Sequence, residues 1–402
     1  MALVPIYDPL RTAQELRDQM ASARRRTGLL LGAGSSMAAT LPGLDQLTGK
    51  VRSKLTGSAK DDFERIVSKV GGSPNIEIVL DRVRLIRELL VADPGGDYEG
   101  LTGAAAKALD VAICQGIYRE VRTIPISDMG AHHSLASWIR HVRREECVEV
   151  FTTNYDLLLE HSFEVVGAPY FDGFVGVVAP FFVPQCVEAD GSRRTENDFP
   201  PASWARLWKL HGSVGWQMKA DPSTGKTTIT RMGLVDPEPG TELVIYPSRE
   251  KLSESRRLPF ATFIDRLRTF LSSGESLLLI VGYSFGDDHI NSILTQALRA
   301  NTRAAINAFA FDSIGAEALR LAETYRNFSI FGRTSACVGG VHAAWVPPGR
   351  TRQPGEEWPF WDEAKSEFLL GNFQAFGKFL DQFGGTAFKP AALVSPSASV
   401  GL

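Results

Sequence analysis

No C-x-x-C pair occurs anywhere in the 402 residues, and the four cysteines, Cys114, Cys147, Cys186 and Cys337, stand far apart. That spacing gives neither a zinc ribbon nor a disulfide framework, and it fits a reducing compartment. Charge of one sign is not in excess either. Lys and Arg number 43 against 46 Asp and Glu, a net charge of -3, so no global basic field draws in nucleic acid or an anionic membrane surface. No run approaches the roughly 20 apolar residues of a membrane helix. The opening MALVPIYDPLRTAQEL lacks the basic-then-apolar order of a secretory leader. A cytoplasmic protein that binds neither nucleic acid nor membrane is the expectation. With 44% hydrophobic and 22% charged residues and no internal repeat, the chain is globular, sized for one large domain with an insertion or for two.

Apolar positions at helical spacing (Leu10, Ala13, Leu16, Met20) precede the buried-strand run Leu29-Leu30-Leu31. From about residue 46 to 125 strand signals vanish, and 76–90 and 104–121 read as amphipathic helices. Strand signals return at 148–151, 243–245, 277–281 and 305–311, with helical patterns at 157–165, 288–299 and 314–326. This alternation predicts an α/β fold, a Rossmann-like, doubly wound, mainly parallel sheet with a helical insertion after the first βα unit. The expected organisation is a sheet domain over 1–45 and 126–345, the insertion over 46–125, an aromatic-rich C-terminal segment over 346–388 that turns helical in its second half, and a disordered tail over 389–402. The Pro- and Gly-rich stretch 168–242 reads as loops with a short antiparallel excursion near 227–230.

Four clusters carry candidate chemistry. In the first, Gly32-Ala33-Gly34-Ser35-Ser36 follows the first strand and opens a helix, an arrangement that brings backbone amides up to a phosphate. The dinucleotide fingerprint is incomplete, because Met37 stands where its third glycine belongs and no carboxylate ends a second strand about 20 residues on. Thr152-Thr153-Asn154-Tyr155-Asp156 follows the strand ending at Phe151, at the edge where open α/β sheets bind ligands; Asn154 or Asp156 could equally cap the next helix. His211-Gly212-Ser213 lies in the apolar LWKLHGSVGW. Last, LLLIVGYSFGDDHIN repeats the first pattern with Gly282 and Ser284, and with Asp287 or Asp288 as a helix cap. His132-His133 does not suggest a metal site, since neighbours on a helix point roughly 100° apart.

In this order the clusters resemble the sirtuin family. Its Gly-Ala-Gly-x-Ser opening matches Gly32 to Ser36, with Pro42 at the family's spacing. Its Thr-Gln-Asn-Ile-Asp resembles Thr152 to Asp156, its His-Gly matches His211-Gly212, and its Gly-Thr-Ser matches Gly282-Tyr283-Ser284. The zinc ribbon of the deacylases is absent, and Leu44-Asp45 replaces their Phe-Arg. The spellings TTNYD, KLHGS and GYSFGDDHIN look closer to the branch of bacterial antiviral defence, which hydrolyses NAD itself, than to the deacylases. That resemblance implies an NAD hydrolase using no metal, in which Asn154 orients water, His211 is the general base and Asp156 fixes the ribose or the nicotinamide amide. It further implies that Gly32, Ala33, Gly34, Ser35 and Ser36 cradle the pyrophosphate, with Pro42 and Thr153 beside them, and that Gly282 and Ser284 hold the adenosine half. A homo-oligomer is expected, activated by a trigger such as a hexameric motor ATPase partner. An NAD-dependent deacylase or ADP-ribosyltransferase and a non-catalytic nucleotide sensor are the alternatives.

Overall fold

The computed structural model describes residues 4–93, 95–188, 201, 203–220, 227–233, 243–245 and 259–383. β1 (Pro5–Tyr7) and α1 (Pro9–Ala21), capped by Asp8, lead into β2 (Arg26–Leu31) and the short α2 (Ala33–Met37). Then come α3 (Leu44–Lys54), α4 (Gly57–Val70), α5 (Ile76–Leu89), the hairpin β3 (Asp97–Tyr98) with β4 (Leu101–Thr102), and α6 (Gly103–Val121). α7 (Gly130–His141) returns to β5 (Glu149–Thr152), and α8 (Leu158–Val166) runs on to β6 (Tyr170–Phe171). β7 (Phe174–Val175), β8 (Phe181–Phe182), α9 (Pro184–Glu188) and β9 (Ala205–Lys209) precede β10 (Gly212–Ala220), β11 (Thr227–Arg231) and β12 (Leu243–Ile245). Regular βα alternation follows: α10 (Phe260–Ser272), β13 (Ser276–Val281), α11 (Asp288–Ala300), β14 (Ala304–Phe309), α12 (Ala316–Thr324) and β15 (Phe328–Phe331). β16 (Ser335–Val338), β17 (Val341–Trp345), the hairpin β18 (Trp361–Asp362) with β19 (Glu367–Phe368), and α13 (Phe373–Asp381) complete the described chain.

Ten strands form the main sheet in the order β1-β17-β16-β15-β14-β13-β2-β5-β9-β6. All its pairings are parallel except β15–β16 and β16–β17. Alternate residues of each strand enter opposite faces, as a period of 2 requires. Leu29, Leu31, Val150, Leu277 and Leu279 pack under α1, α7, α8 and α13. Leu30, Phe151, Leu278, Ile280 and Ile306 pack under α10, α11 and α12. Helices on both faces make this an α/β, Rossmann-like, doubly wound sheet.

The helices α3 to α6 build a separate core around Val51, Phe63, Val79, Leu80 and Ile113. That core also takes in Tyr155, Leu157 and Val214, so the helical layer sits on the two segments that follow β5 and β9. In the C-terminal segment Phe368 stacks on Trp345 of β17 with ring centroids 4.4 Å apart, and Phe373 and Phe376 join the main core. The tail at 389–402 lies outside the described residues.

Residues 243–245, expected in the parallel sheet, instead form β12 of a second, antiparallel sheet ordered β12-β10-β11-β8-β7. The stretch read as loops holds β9, a parallel strand between β5 and the edge strand β6, as well as most of this second sheet. Two cations interrupt the apolar pattern of β9, yet Arg206 and Lys209 are both buried there.

Candidate active site

The parallel strands β13, β2, β5 and β9 lie side by side and end level: Val281 pairs with Leu31, Leu31 with Thr152, and Thr152 with Lys209. Gly282, Gly32, Thr153 and Leu210 are therefore the first residues past one common edge. Asn154 and His211 each stand two residues beyond the paired Thr152 and Lys209. Bonds from Leu210 N to Thr152 O (2.8 Å) and from Val214 N to Tyr155 O (2.9 Å) keep these turns together.

Gly32, Gly34 and Gly282 meet backbone to backbone. A Cβ on Gly32 would lie 2.4 Å from Gly282 O, and one on Gly282, whose φ is +70°, would lie 2.6 Å from Ser35 N. The Gly34 amide donates to Gly282 O at 2.9 Å, the Gly32 amide to Val281 O and the Ser35 amide to Gly32 O. These glycines thus serve first to let two strand ends touch. Three amides of the expected phosphate cradle are spent inside the protein, whereas Ala33 and Ser284 are exposed on its outer side.

Behind the turn, the Asn154 carboxamide nitrogen contacts Gly32 O (3.0 Å), Ser35 Oγ (3.0 Å) and Ser36 Oγ (2.7 Å). Ser36 Oγ donates to Asp156 Oδ2 at 2.6 Å, while Asp156 Oδ1 takes the Leu158 amide at 3.1 Å. Asp156 therefore takes the first amide of α8 and fixes Ser36, whereas the Asn154 side chain bonds the Gly32–Ser36 turn. None of these bonds uses Asn154 Oδ1, which has no protein partner among the described residues. Thr153 donates its amide to Leu31 O. Buried Lys209 donates to the main-chain oxygen of Asp156 and, at 2.9 Å, to Glu160 Oε1.

His211 reaches from the end of β9 to Asp287 in the turn after β13, spanning the ends of β5 and β2. Its Nε2 lies 2.9 Å from Asp287 Oδ2. Burial would raise the Asp287 carboxyl, but bonds from His211, Ile290 N and His289 N hold it at about 2. An ionised carboxylate only accepts, so Nε2 carries the hydrogen. Nδ1 is then the basic nitrogen of the neutral ring, and it is buried without a partner among the described residues. Burial pulls the imidazole pKa down, but the Asp287 bond and the charges of Glu77, Asp287 and Asp81 leave it above its usual 6.5.

Glu77 and Asp81 come from α5 of the helical layer. Tyr155 donates its hydroxyl to Glu77 Oε1, and burial plus that carboxylate raise the Tyr155 pKa well above the ordinary phenol value. Pro42 is half-buried in the link between α2 and α3. Glu77 and Lys209 were not singled out in the sequence; Asp287, expected there with Asp288 as a helix cap, does cap α11 and in addition meets His211, a pairing the sequence did not show. On α7, His132 packs 4.9 Å from the Phe373 ring, and burial pushes its pKa down to about 4 against the opposing charge of Asp156. Among the described residues no group of three or more His, Cys, Asp or Glu is gathered for a metal, and no helix is long and apolar enough to cross a membrane.

Residues 148–330 match the family model described as the SIR2-like domain. The match includes Asn154, Asp156, His211, Gly282, Ser284 and Asp287, and begins after the Gly32–Ser36 turn. No curated protein matches the chain.

Proposed function

The chain is sirtuin-like, carrying a SIR2-like domain of a family of NAD-dependent enzymes, and from that premise we propose that it hydrolyses NAD to nicotinamide and ADP-ribose. The observation that carries this reading is the His211–Asp287 bond closing over the edge from which Asn154 projects. Nicotinamide leaves as a neutral molecule, so the barrier lies in the oxocarbenium-like transition state and in aiming the water. Asn154 Oδ1 accepts a hydrogen from that water, and the Ser35, Ser36 and Gly32 contacts hold the amide in the required orientation. His211 Nδ1, an orphaned buried nitrogen that a ribose hydroxyl would satisfy, accepts the proton, with Asp287 fixing the tautomer. Asp156 acts through Ser36, and its carboxylate favours the developing positive charge. Ala33 and Ser284, both exposed, are the groups of the glycine turns that face the dinucleotide.

In the proposed setting the enzyme is a cytoplasmic effector of antiviral defence that depletes NAD. Its trigger is self-assembly as a homo-oligomer or engagement of a partner, with a hexameric motor ATPase the partner expected. The missing C-x-x-C pairs favour this over a deacylase. Incubating the protein with NAD, alone and with the products of neighbouring genes, tests the reading. Release of nicotinamide and ADP-ribose by wild type and not by Asn154→Ala or His211→Ala supports it. Turnover of acyl-lysine peptide in place of free hydrolysis assigns the chain to the deacylases, and NAD binding without turnover in every condition assigns it to the sensors.

A further inference from the structure

We propose that Asn291 is a positioning residue of this site, locking a reversed turn at Phe285 that delivers Asp287 to His211. Phe285 has φ +59°, a conformation that a bulky residue keeps only when its surroundings impose it. Gly286, the neighbour that could adopt it freely, does not carry the positive φ. The constraint on Phe285 is visible on both sides. Its ring is buried against Tyr283 and Phe328, with centroids 5.0 and 6.0 Å away. Its carbonyl accepts the Asn291 carboxamide at 2.7 Å.

Asn291 stands one turn into α11, four residues after Asp287, and side chains on a helix lean toward its N-terminus. From there it reaches back over the turn. Its Oδ1 accepts the Tyr283 hydroxyl at 3.1 Å, and that hydroxyl also lies 3.3 Å from Asp287 O. One buried amide therefore ties Phe285 to Tyr283 and leaves Ser284, between them, exposed. Asp287 is the next anchored residue, placed to cap α11 with Oδ1 and to meet His211 with Oδ2. Without the amide the Phe285 carbonyl loses the bond that holds it, and the turn relaxes toward ordinary backbone angles that move Asp287 away.

The groups facing His211 are Asp287 from the start of α11 and Glu77 and Asp81 from α5. Loosening the turn removes the first and leaves the other two. This deepens the hydrolase reading and rests on it for the role of His211 as base. Its test needs no NAD cleavage, so the two can fail separately. The imidazole Cε1 proton of His211 is titrated by NMR, assigned by its loss in His211→Gln, in wild type, Asn291→Leu and Asn291→Ser. Serine is the variant to read if leucine does not fold. A midpoint lower than wild type by about half to one pH unit, with cooperative unfolding retained, is the expected result. A wild-type midpoint in either folded variant overturns the proposal.

Discussion

Replacing Asp287 by asparagine keeps the shape of the His211 contact and removes its charge. A hydrogen bond to a charged group contributes about 1.5–3 kcal/mol. One pH unit corresponds to about 1.4 kcal/mol, so the His211 titration midpoint should fall by about 1–2 units. Glu77 and Asp81 still face the ring and keep the fall from being larger. Stability follows with a definite sign. The Asp287 carboxyl is depressed from 3.8 to about 2, so its contribution is present above pH 3.8 and is lost as pH falls toward 2. His211 is raised, so its contribution is present below pH 6.5 and is lost as pH rises through the raised value. One ion pair supplies both, about 2 kcal/mol in all, and Asp287→Asn should be most destabilised between these limits. Because the base must be unprotonated, wild-type NAD cleavage should climb through a midpoint above 6.5. In the variant that limb moves down by the same 1–2 units while the plateau drops by up to about 10²-fold, the tautomer being no longer fixed. The assays are NMR titration, urea unfolding at several pH values and the pH profile of nicotinamide release. A His211 midpoint that Asp287→Asn leaves unchanged refutes the reasoning.

Asn154→Ala should cost about 10²-fold or more in turnover but only about 1 kcal/mol in stability, measured by steady-state kinetics beside chemical denaturation. Tyr155→Phe removes the hydroxyl that ties the turn after β5 to Glu77 on the helical layer; urea unfolding should register a loss of about 1–3 kcal/mol. Lys209→Met removes a buried cation and leaves the half-buried Glu160 without its partner; it should cost about 3–5 kcal/mol by the same measurement, a loss that adding Glu160→Gln largely recovers. That double variant should also regain cooperative thermal unfolding.

The alternation of apolar strands with amphipathic helices made the sheet and most of its helices legible, because each element buries one face at its own period. β9 was not legible for a physical reason. Arg206 and Lys209 interrupt its apolar run, and what makes them core residues is partners far along the chain, such as Glu160 for Lys209. β12 was assigned to the wrong sheet because a three-residue apolar strand carries no mark of which partner it pairs with. Within the site, motif order and strand ends were enough to single out Asn154, Asp156 and His211. Asp287 was legible only as a helix cap; its pairing with His211 escaped because only the strand order carries β13 to within a side chain's reach of the turn after β9. Glu77 escaped because nothing local says that α5 folds back over Tyr155. The glycines show how one pattern can arise from a second cause: Gly-x-Gly suggested a phosphate cradle, and the atoms closest to Gly32 and Gly34 belong to Gly282.

The central claim is that Asn154 and His211 cleave the bond between nicotinamide and ribose with water. Its most direct test follows NAD by NMR, with wild-type protein in its activated state beside Asn154→Ala and His211→Ala. The account predicts nicotinamide and ADP-ribose appearing in equal amounts with wild type and neither with the variants. Wild type indistinguishable from both variants in every activated condition would contradict it.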